Sequence, residues 1–200
     1  LLLQNTSSDE LLENIFEIID QFNLSIDLIA SSQEREAIAK LNFKGGQKAK
    51  LATAYKAAFD YFNLGIKLLN SNSWESQYEL TLNLYSEATE AAYLNGNFEE
   101  MERLALVVQN NAKTVLDKIR VYESKIQGNA SGGKLKESVK IGLQVLEKLG
   151  LSLTENPREL EIQSAFEETA SLYAEKEIEE LINLPPMRNP EIQAVIQILT

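Results

Sequence analysis

The chain has 200 residues, 44% of them hydrophobic, and a formal net charge of −11 at pH 7. A chain of this length and composition can bury a substantial core, while its acidic charge disfavours binding to nucleic acids and to anionic membrane surfaces. Because the sequence has no cysteine and no histidine, it excludes disulfides, zinc–thiolate sites and the commonest general base of enzymes.

The N-terminal segment predicts two helices. Ser7 and Glu10 have the spacing of a capping box at the head of a run with helical apolar periodicity. A break with a fresh capping residue follows at Ser31. Helical periodicity then resumes, and we expect the pair Gly45-Gly46 to interrupt or kink this second helix.

The middle of the chain predicts further helices separated by polar turns. Helical periodicity extends over residues 51–69 and 74–95, and again over 98–127 with a break near Asn110-Asn111. Residues 128–133 read as a glycine-rich turn. Trp74, near the start of one of these helices, is expected to be a core residue or a hydrophobic staple, with an exposed interface anchor as the alternative.

The C-terminal segment continues the helical pattern. A helix over 135–149 closes on Gly150, which is a favourable C-cap residue. Pro157 suits the first turn of the next helix, which extends to about residue 178, and a last helix begins at Asn189-Pro190. No alternating apolar segment bounded by turn residues predicts a strand. The predicted fold class is all-α.

Small residues and helix openers recur along the chain. Ala58 and Gly65 lie among large apolar residues, although glycine inside a helix costs about 1 kcal/mol relative to alanine. We expect a neighbouring helix backbone to pass over Gly65 and offset that cost. Comparable helix openers follow turns at Tyr55, Phe98 and Leu135, about 40 residues apart.

These features resemble the tetratricopeptide repeat, a helix–turn–helix unit of about 34 residues. In that family a glycine stands two residues before the opener, as Gly96 and Gly133 do here, whereas Thr53 departs from the pattern. Gly46 matches the glycine of the first helix of the repeat. The resemblance implies tetratricopeptide-like helical hairpins over residues 39–150, stacked into a superhelical segment. The alternative is an ordinary helical bundle with alanine at crowded positions.

A second resemblance is carried by the runs LNFKGGQKAK…AYKAAFDYF, SWESQYELTLNLYSEATEAAYLNGNFEEME and EELINLPPMRNPE. They are similar to the helical region of large cyanobacterial-type multidomain signalling kinases. In that family a Ser/Thr kinase domain and an ATPase domain come first, and a GAF sensor domain and a histidine kinase or cyclase output follow. The resemblance implies an ATP-dependent protein kinase as the parent protein, whose catalytic motifs lie outside this segment.

The expected organisation is a single helical domain over residues 1–200. It would comprise N-terminal helices in 1–38, the repeats in 39–150 and C-terminal helices in 151–200. The chain begins without an initiator methionine and ends within an apolar period, which predicts a piece cut from a longer polypeptide. No apolar run approaches the roughly 18 residues of a membrane span and no signal peptide is visible, so the cytoplasm is the expected compartment.

The expected function is that of a scaffold or interaction module, which transmits signals between flanking domains or binds a protein or peptide partner. No catalytic, cofactor-binding or metal-binding residue is predicted. The alternative is a helical fragment of an enzyme whose active site is completed by a missing domain. If the repeat register is right, six residues of the first helices face a groove: Lys40, Gln47, Asn83, Glu90, Arg120 and Gln127.

Three charged or glycine-rich motifs are explained by structural or surface roles rather than by a catalytic or ligand-binding site. Residues 128–134 match the G-x-x-x-x-G-K core of a phosphate-binding loop, but Leu135 stands where Ser or Thr must reach magnesium. The acidic run 175–180 is expected to be a solvated helix face. The basic residues form a solvated face or meet an acidic neighbouring domain: Lys44, Lys48, Lys50 and Lys56.

Overall fold

The computed structural model describes residues 14–24, 29, 31–173 and 185–200. Within these ranges the regular structure is helical and no strand occurs, so the all-α prediction is confirmed. The chain divides into two compact units, one within residues 1–128 and one within 129–200. The predicted single domain, with its boundaries at 38 and 150, stays a prediction. The Ser7–Glu10 capping box and the acidic run 175–180 lie outside the described residues.

The helices are numbered in chain order. Those that begin in the first unit are α1 (Ile15–Leu24), α2 (Ser32–Leu51), α3 (Tyr55–Leu68), the short α4 (Ser73–Ser76), α5 (Tyr78–Leu94), α6 (Phe98–Asn111) and α7 (Ile119–Ser131). A 3-10 turn (Leu116–Lys118) precedes α7. The second unit contains α8 (Leu135–Lys148), α9 (Glu159–Tyr173) and α10 (Pro190–Leu199).

The three predicted openers are confirmed, because Tyr55, Phe98 and Leu135 are the first residues of α3, α6 and α8. Each follows a turn of the same geometry, in which the residue two before the opener has a left-handed backbone. The φ values are 58° at Thr53, 75° at Gly96 and 75° at Gly133. In each turn the next backbone N–H bonds the carbonyl five residues earlier, which is the Schellman C-cap: Ala54 to Ala49, Asn97 to Ala92 and Lys134 to Asn129.

Thr53 is strained in its turn, and this gives a first prediction. A left-handed backbone costs a residue with a Cβ about 1–2 kcal/mol, whereas glycine adopts it freely. Thr53→Gly should therefore raise the free energy of unfolding by about 1 kcal/mol, measured by chemical denaturation. In the matched control, Gly96→Ala should lower the free energy of unfolding by a similar amount, because it places a Cβ on a left-handed backbone. A Cβ at Gly96 meets no atom within 4 Å, so no steric clash adds to this cost. A Thr53→Gly protein less stable than the parent would contradict this account.

Two helical hairpins form the core of the first unit. Helix α2 packs against α3, α5 packs against α6, and α3 also packs against α5. Alanines occupy many of the contact positions, so that helix backbones can approach closely. The main cluster of buried residues is Ile38, Ala39, Ala49, Ala58, Phe59, Phe62, Leu68, Leu84, Ala88, Ala91, Ala92, Met101 and Leu104.

The predicted interruption of α2 at Gly45-Gly46 is wrong, because the helix continues through both residues to Leu51. The two glycines are buried where neighbouring side chains press on the backbone. A Cβ on Gly45 would lie 2.5 Å from Ile19 Cδ1, and one on Gly46 would lie 2.5 Å from Phe62 Cε1. Packing against α1 and α3 therefore offsets the low helix propensity of the pair.

The expectation for Gly65 is confirmed. Gly65 is buried in α3 between α2 and α5. A Cβ at this position would lie 2.7 Å from Leu84 Cδ2 and 3.4 Å from the backbone oxygen of Ala39. The small residue thus allows α3 to approach the backbone of α2 and a buried leucine of α5.

The predicted helix over 74–95 is interrupted at Gln77, which lies outside helical geometry between α4 and α5. The Gln77 side chain donates a hydrogen bond to Glu36 Oε2 at 2.6 Å. Trp74 is half-buried, with its ring centroid 5.6 Å from that of Tyr85. It packs against a second cluster that includes Ala105, in agreement with a core role.

Gly128 corrects the predicted turn over 128–133. Helix α7 continues to Ser131, and Gly128 is buried within it. A Cβ on Gly128 would lie 2.7 Å from the sulfur of Met101. Met101 is a large, buried residue of α6, and the facing glycine provides its space. The turn proper is confined to residues 132–134.

In the second unit, α8 packs against α10. Val145, Leu146 and Ala194 are buried there. The predicted C-cap at Gly150 is confirmed by its φ of 88°, and α10 begins at Pro190 as predicted. Helix α9 begins at Glu159, two residues beyond Pro157, because Glu161 Oε2 accepts the Arg158 backbone N–H at 2.9 Å and caps the helix there.

Candidate interaction groove

The six residues predicted to face a groove fall on three helices: Lys40 and Gln47 on α2, Asn83 and Glu90 on α5, and Arg120 and Gln127 on α7. Three of them are exposed and three are half-buried. The exposed ones are Lys40, Asn83 and Gln127, and the half-buried ones are Gln47, Glu90 and Arg120. The groove as a binding site stays a prediction.

A network of four charged residues joins the three helices at this face. Glu87 and Glu90 extend from α5, Lys50 comes from the C-terminal turn of α2, and Arg120 comes from the first turn of α7. Lys50 Nζ lies 2.7 Å from Glu87 Oε2 and 3.0 Å from Glu90 Oε2. Arg120 Nη2 lies 2.8 Å from Glu87 Oε1 and 2.9 Å from Glu90 Oε2. Each cation therefore bridges both carboxylates.

Glu87 is the centre of this charged network. Only 6% of its side chain is exposed, against 32% for Glu90 and 41% for Arg120. Burial by itself raises the pKa of Glu87, but the hydrogen bonds and positive charges of Lys50 and Arg120 outweigh burial and hold that pKa below its usual value. Glu87 is therefore ionised at neutral pH.

A cavity of about 230 Å³ lies beside the charged network. It contains three of the predicted groove residues, namely Glu90, Arg120 and Gln127. The other lining residues are Tyr93, Leu94, Glu123 and Ser124. Lys40, Gln47 and Asn83 do not line this cavity, and Lys40 forms an ion pair with Glu36 on its own helix at 2.6 Å. The structure thus brings together one predicted residue of α5, Glu90, and both predicted residues of α7.

Sequence reasoning missed Glu87, the best-buried member of the charged network. A weak signal was available, because Glu87 interrupts the run of small residues SEATEAA that α5 buries. A carboxylate in such a run needs a cationic partner. The partners, Lys50 and Arg120, are far away in sequence, so local spacing could not identify them.

The four lysines of the basic cluster have separate environments. Lys50 belongs to the charged network, and Lys56 pairs with Asp60 on its own helix at 2.6 Å. Lys48 Nζ lies 5.3 Å from the ring centroid of Phe16. Lys44 is exposed. Three of the four thus make contacts within the first unit, and the alternative of an acidic neighbouring domain stays a prediction.

The phosphate-binding motif does not form a loop. Residues 128–131 are the last turn of α7, so their backbone N–H groups point along the helix and cannot encircle a phosphate. Lys134 occupies the turn and precedes the first residue of α8. The motif therefore consists of a helix end over residues 128–131 and a short turn over 132–134.

The second prediction concerns this turn. Titration of the 200-residue chain with Mg-ATP in a calorimeter should give no binding heat above the dilution control, and Lys134→Ala should behave like the parent. The reason is that no strand and no phosphate loop present the lysine. Lys136→Ala is the matched control for removal of one surface charge. Micromolar ATP binding that Lys134→Ala abolishes and Lys136→Ala retains would contradict this prediction.

Two surveys of the described residues bear on other kinds of site. In the ranges 14–24, 31–173 and 185–200, no helix combines the length and the apolar character needed to cross a membrane. In the same part of the chain, no group of three or more Asp and Glu side chains is arranged to hold a metal ion.

Comparisons with known proteins relate this helical region to signal-transduction kinases. The chain is 28% identical over 152 residues to a protein described as hybrid signal transduction histidine kinase G, from Dictyostelium discoideum. The match covers 72% of this chain and about 4% of the length of that relative. No family model matches the chain, and no solved structure matches it.

Proposed function

We propose that this chain is a non-catalytic scaffold and coupling segment of a multidomain signal-transduction kinase. The observation that carries the proposal is the similarity over 152 residues to a small part of a hybrid histidine kinase. Such a kinase needs segments that connect its sensing and catalytic parts. A helical segment without cysteine or histidine suits this connecting role better than a catalytic one.

The repeated hairpin turns support a tetratricopeptide-like architecture for the segment. Three turns with the same left-handed residue and the same cap hydrogen bonds precede α3, α6 and α8. Hairpins of this kind stack through nearest-neighbour contacts, so a displacement at one end is transmitted along the array. In the parent protein the flanking domains would be those that the resemblance to cyanobacterial-type kinases implies: a Ser/Thr kinase and an ATPase domain before this segment, and a GAF sensor domain and an output domain after it. ATP would be bound by those domains and not by this segment.

The charged network around Glu87 suits the coupling role. It ties α2, α5 and α7 together through two bridging cations. Removing one member of such a network leaves the charges of the others only partly compensated, so a change on one helix affects its contacts with the other two. The proposed partners are flanking domains of the same protein or a peptide at the groove, in the cytoplasm, without nucleic acid, membrane or cofactor.

The proposal is tested in the parent kinase by replacing residues 39–150 with a flexible Gly/Ser linker. We expect the catalytic domains to retain basal autophosphorylation and to lose its dependence on the sensor domains. The purified 200-residue chain should show no ATP turnover of its own. Loss of basal activity that the separately added chain restores would instead support an active site completed by this segment.

A further inference from the structure

Helix α9 in the second unit is exposed on all sides. Every side chain described from Glu159 to Leu172 is exposed. Four of them are large and apolar, with exposed fractions of 78% for Leu160, 55% for Ile162, 75% for Phe166 and 66% for Leu172. A soluble protein seldom leaves so much apolar side chain uncovered on one helix without a binding role.

Most of the apolar residues of α9 form a stripe, and Leu160 lies outside it. Ile162, Ala165, Phe166 and Thr169 follow the i, i+3, i+4, i+7 spacing that places side chains on one helix face. Leu172 extends the stripe at the C-terminal end, seven residues after Ala165. The stripe is thus the length of a short helix and suits the apolar face of another helix.

Carboxylates border this stripe. Glu161 and Glu168 lie along one edge, and Glu159 lies along the other. Helix α9 contains no lysine or arginine. Arg158, just before the helix, pairs with Glu161 at 2.6 Å, so α9 with its neighbouring arginine is still acidic. The stripe therefore has an acidic frame on both sides.

We propose that α9 is a docking surface for a cationic amphipathic helix of a partner protein. Apolar side chains of the partner would cover Ile162 and Phe166, and its lysines or arginines would meet Glu159 and Glu168. Charge complementarity selects this occupant. A second copy of α9 would place carboxylates against carboxylates, and an anionic membrane would repel the same frame. The proposal goes beyond the proposed function and does not depend on the groove of the first unit.

The test uses the complete 200-residue chain and a fluorescent synthetic helix of 15 residues, with a leucine stripe and lysines on both flanks. Fluorescence anisotropy should show saturable binding. Two comparison peptides should each bind at least about tenfold more weakly, because one loses charge complementarity and the other loses the apolar stripe. One carries glutamate in place of each lysine, and the other has the cationic composition in a scrambled order without a stripe.

Variants of the chain locate the binding. Ile162→Ser with Phe166→Ser should weaken binding of the cationic peptide about tenfold or more, and so should Glu159→Lys with Glu168→Lys. The matched control, Glu75→Lys with Glu79→Lys, makes the same charge change at exposed positions of the first unit and should bind like the parent. Circular dichroism checks that each variant keeps its helix content. Phe166→Leu, which keeps a large apolar side chain at this position, should retain most of the affinity of the parent chain.

Several outcomes would overturn the proposal. These are equal binding of the scrambled peptide, equal weakening by the control pair, and no saturable binding at all. Tighter binding of the chain to vesicles of phosphatidylcholine with phosphatidylserine than to the cationic peptide would identify a membrane surface instead. Sedimentation equilibrium that shows a dimer dissociated by Phe166→Ser would identify a second copy. None of these results would affect the coupling role, which the linker replacement in the parent kinase tests separately.

Discussion

Gly65→Leu is expected to lower the free energy of unfolding by about 3 kcal/mol, at the upper end of the usual cost of overpacking a filled core. The added side chain would have to displace Leu84, whose Cδ2 lies 2.7 Å from the position of a Cβ at Gly65. Leu84 is fully buried and cannot swing into solvent. On the other side lies the Ala39 carbonyl, which belongs to the backbone of α2 and has little freedom to move.

Two further variants make this result specific to packing. Gly65→Ala should also destabilise, but less, because only a methyl group meets Leu84. If Gly65 faced solvent, the same change would stabilise by roughly 0.5–1 kcal/mol through helix propensity and a more restricted unfolded chain. Asp60→Leu, at an exposed position of the same helix, should have a much smaller effect. Chemical denaturation measures all three, and a Gly65→Leu protein as stable as the parent would refute the packing account.

The features that could be predicted from the sequence are those fixed by local chemistry. A residue with a left-handed backbone ends one helix, and an opener begins the next two residues later, so Gly96 and Gly133 identified the starts of α6 and α8. Asn189 likewise identified the start of α10, where its side chain accepts the Glu191 backbone N–H at 2.8 Å. These signals lie within a few residues of the feature they predict.

The features that sequence reasoning missed depend on contacts between distant segments. Gly45, Gly46 and Gly128 look like helix breakers in isolation, yet each is kept in a helix by a large side chain from elsewhere. Their neighbours, such as Phe62 for Gly46, could be named only after the helices were placed. For the same reason, the repeat register suggested groove residues such as Glu90 and Arg120 but did not identify Glu87, whose partners are distant in sequence.

Asn42 shows how a polar residue can be buried for similar long-range reasons. It is fully buried in α2. Its side-chain amide donates to Asn23 Oδ1 at 3.1 Å and accepts from Asn23 Nδ2 at 3.0 Å, and it also donates to the Ile38 carbonyl. Because the pairing with Asn23 is reciprocal, it fixes the position of α1 along α2. Nothing in the periodicity of either helix predicts this pairing.

Glu87→Gln is expected to lower the free energy of unfolding by about 2 kcal/mol at pH 7. Breaking a buried ion pair by removing one partner typically costs about 3–5 kcal/mol. The smaller value applies here because Glu90 still neutralises part of the charge of Lys50 and Arg120, at 3.0 and 2.9 Å. Glutamine keeps the size of the side chain and can still accept a hydrogen bond, so the loss reports on the missing charge.

The dependence on pH separates this charge effect from a packing defect. The pKa of Glu87 is lower in the folded protein than its usual value, so its ionised form stabilises the fold fully above the ordinary glutamate pKa of about 4.3. That contribution is lost as the pH falls through the lower, folded-state pKa. The difference in stability between the parent and Glu87→Gln should therefore be largest at neutral pH and should disappear in acid.

Urea denaturation from pH 7 to pH 3 measures this difference, with Glu79→Gln, which replaces an exposed glutamate on the same helix, as the control. A difference that is absent at pH 7, or that persists unchanged at pH 3, would show that the charged network does not hold α2, α5 and α7 together.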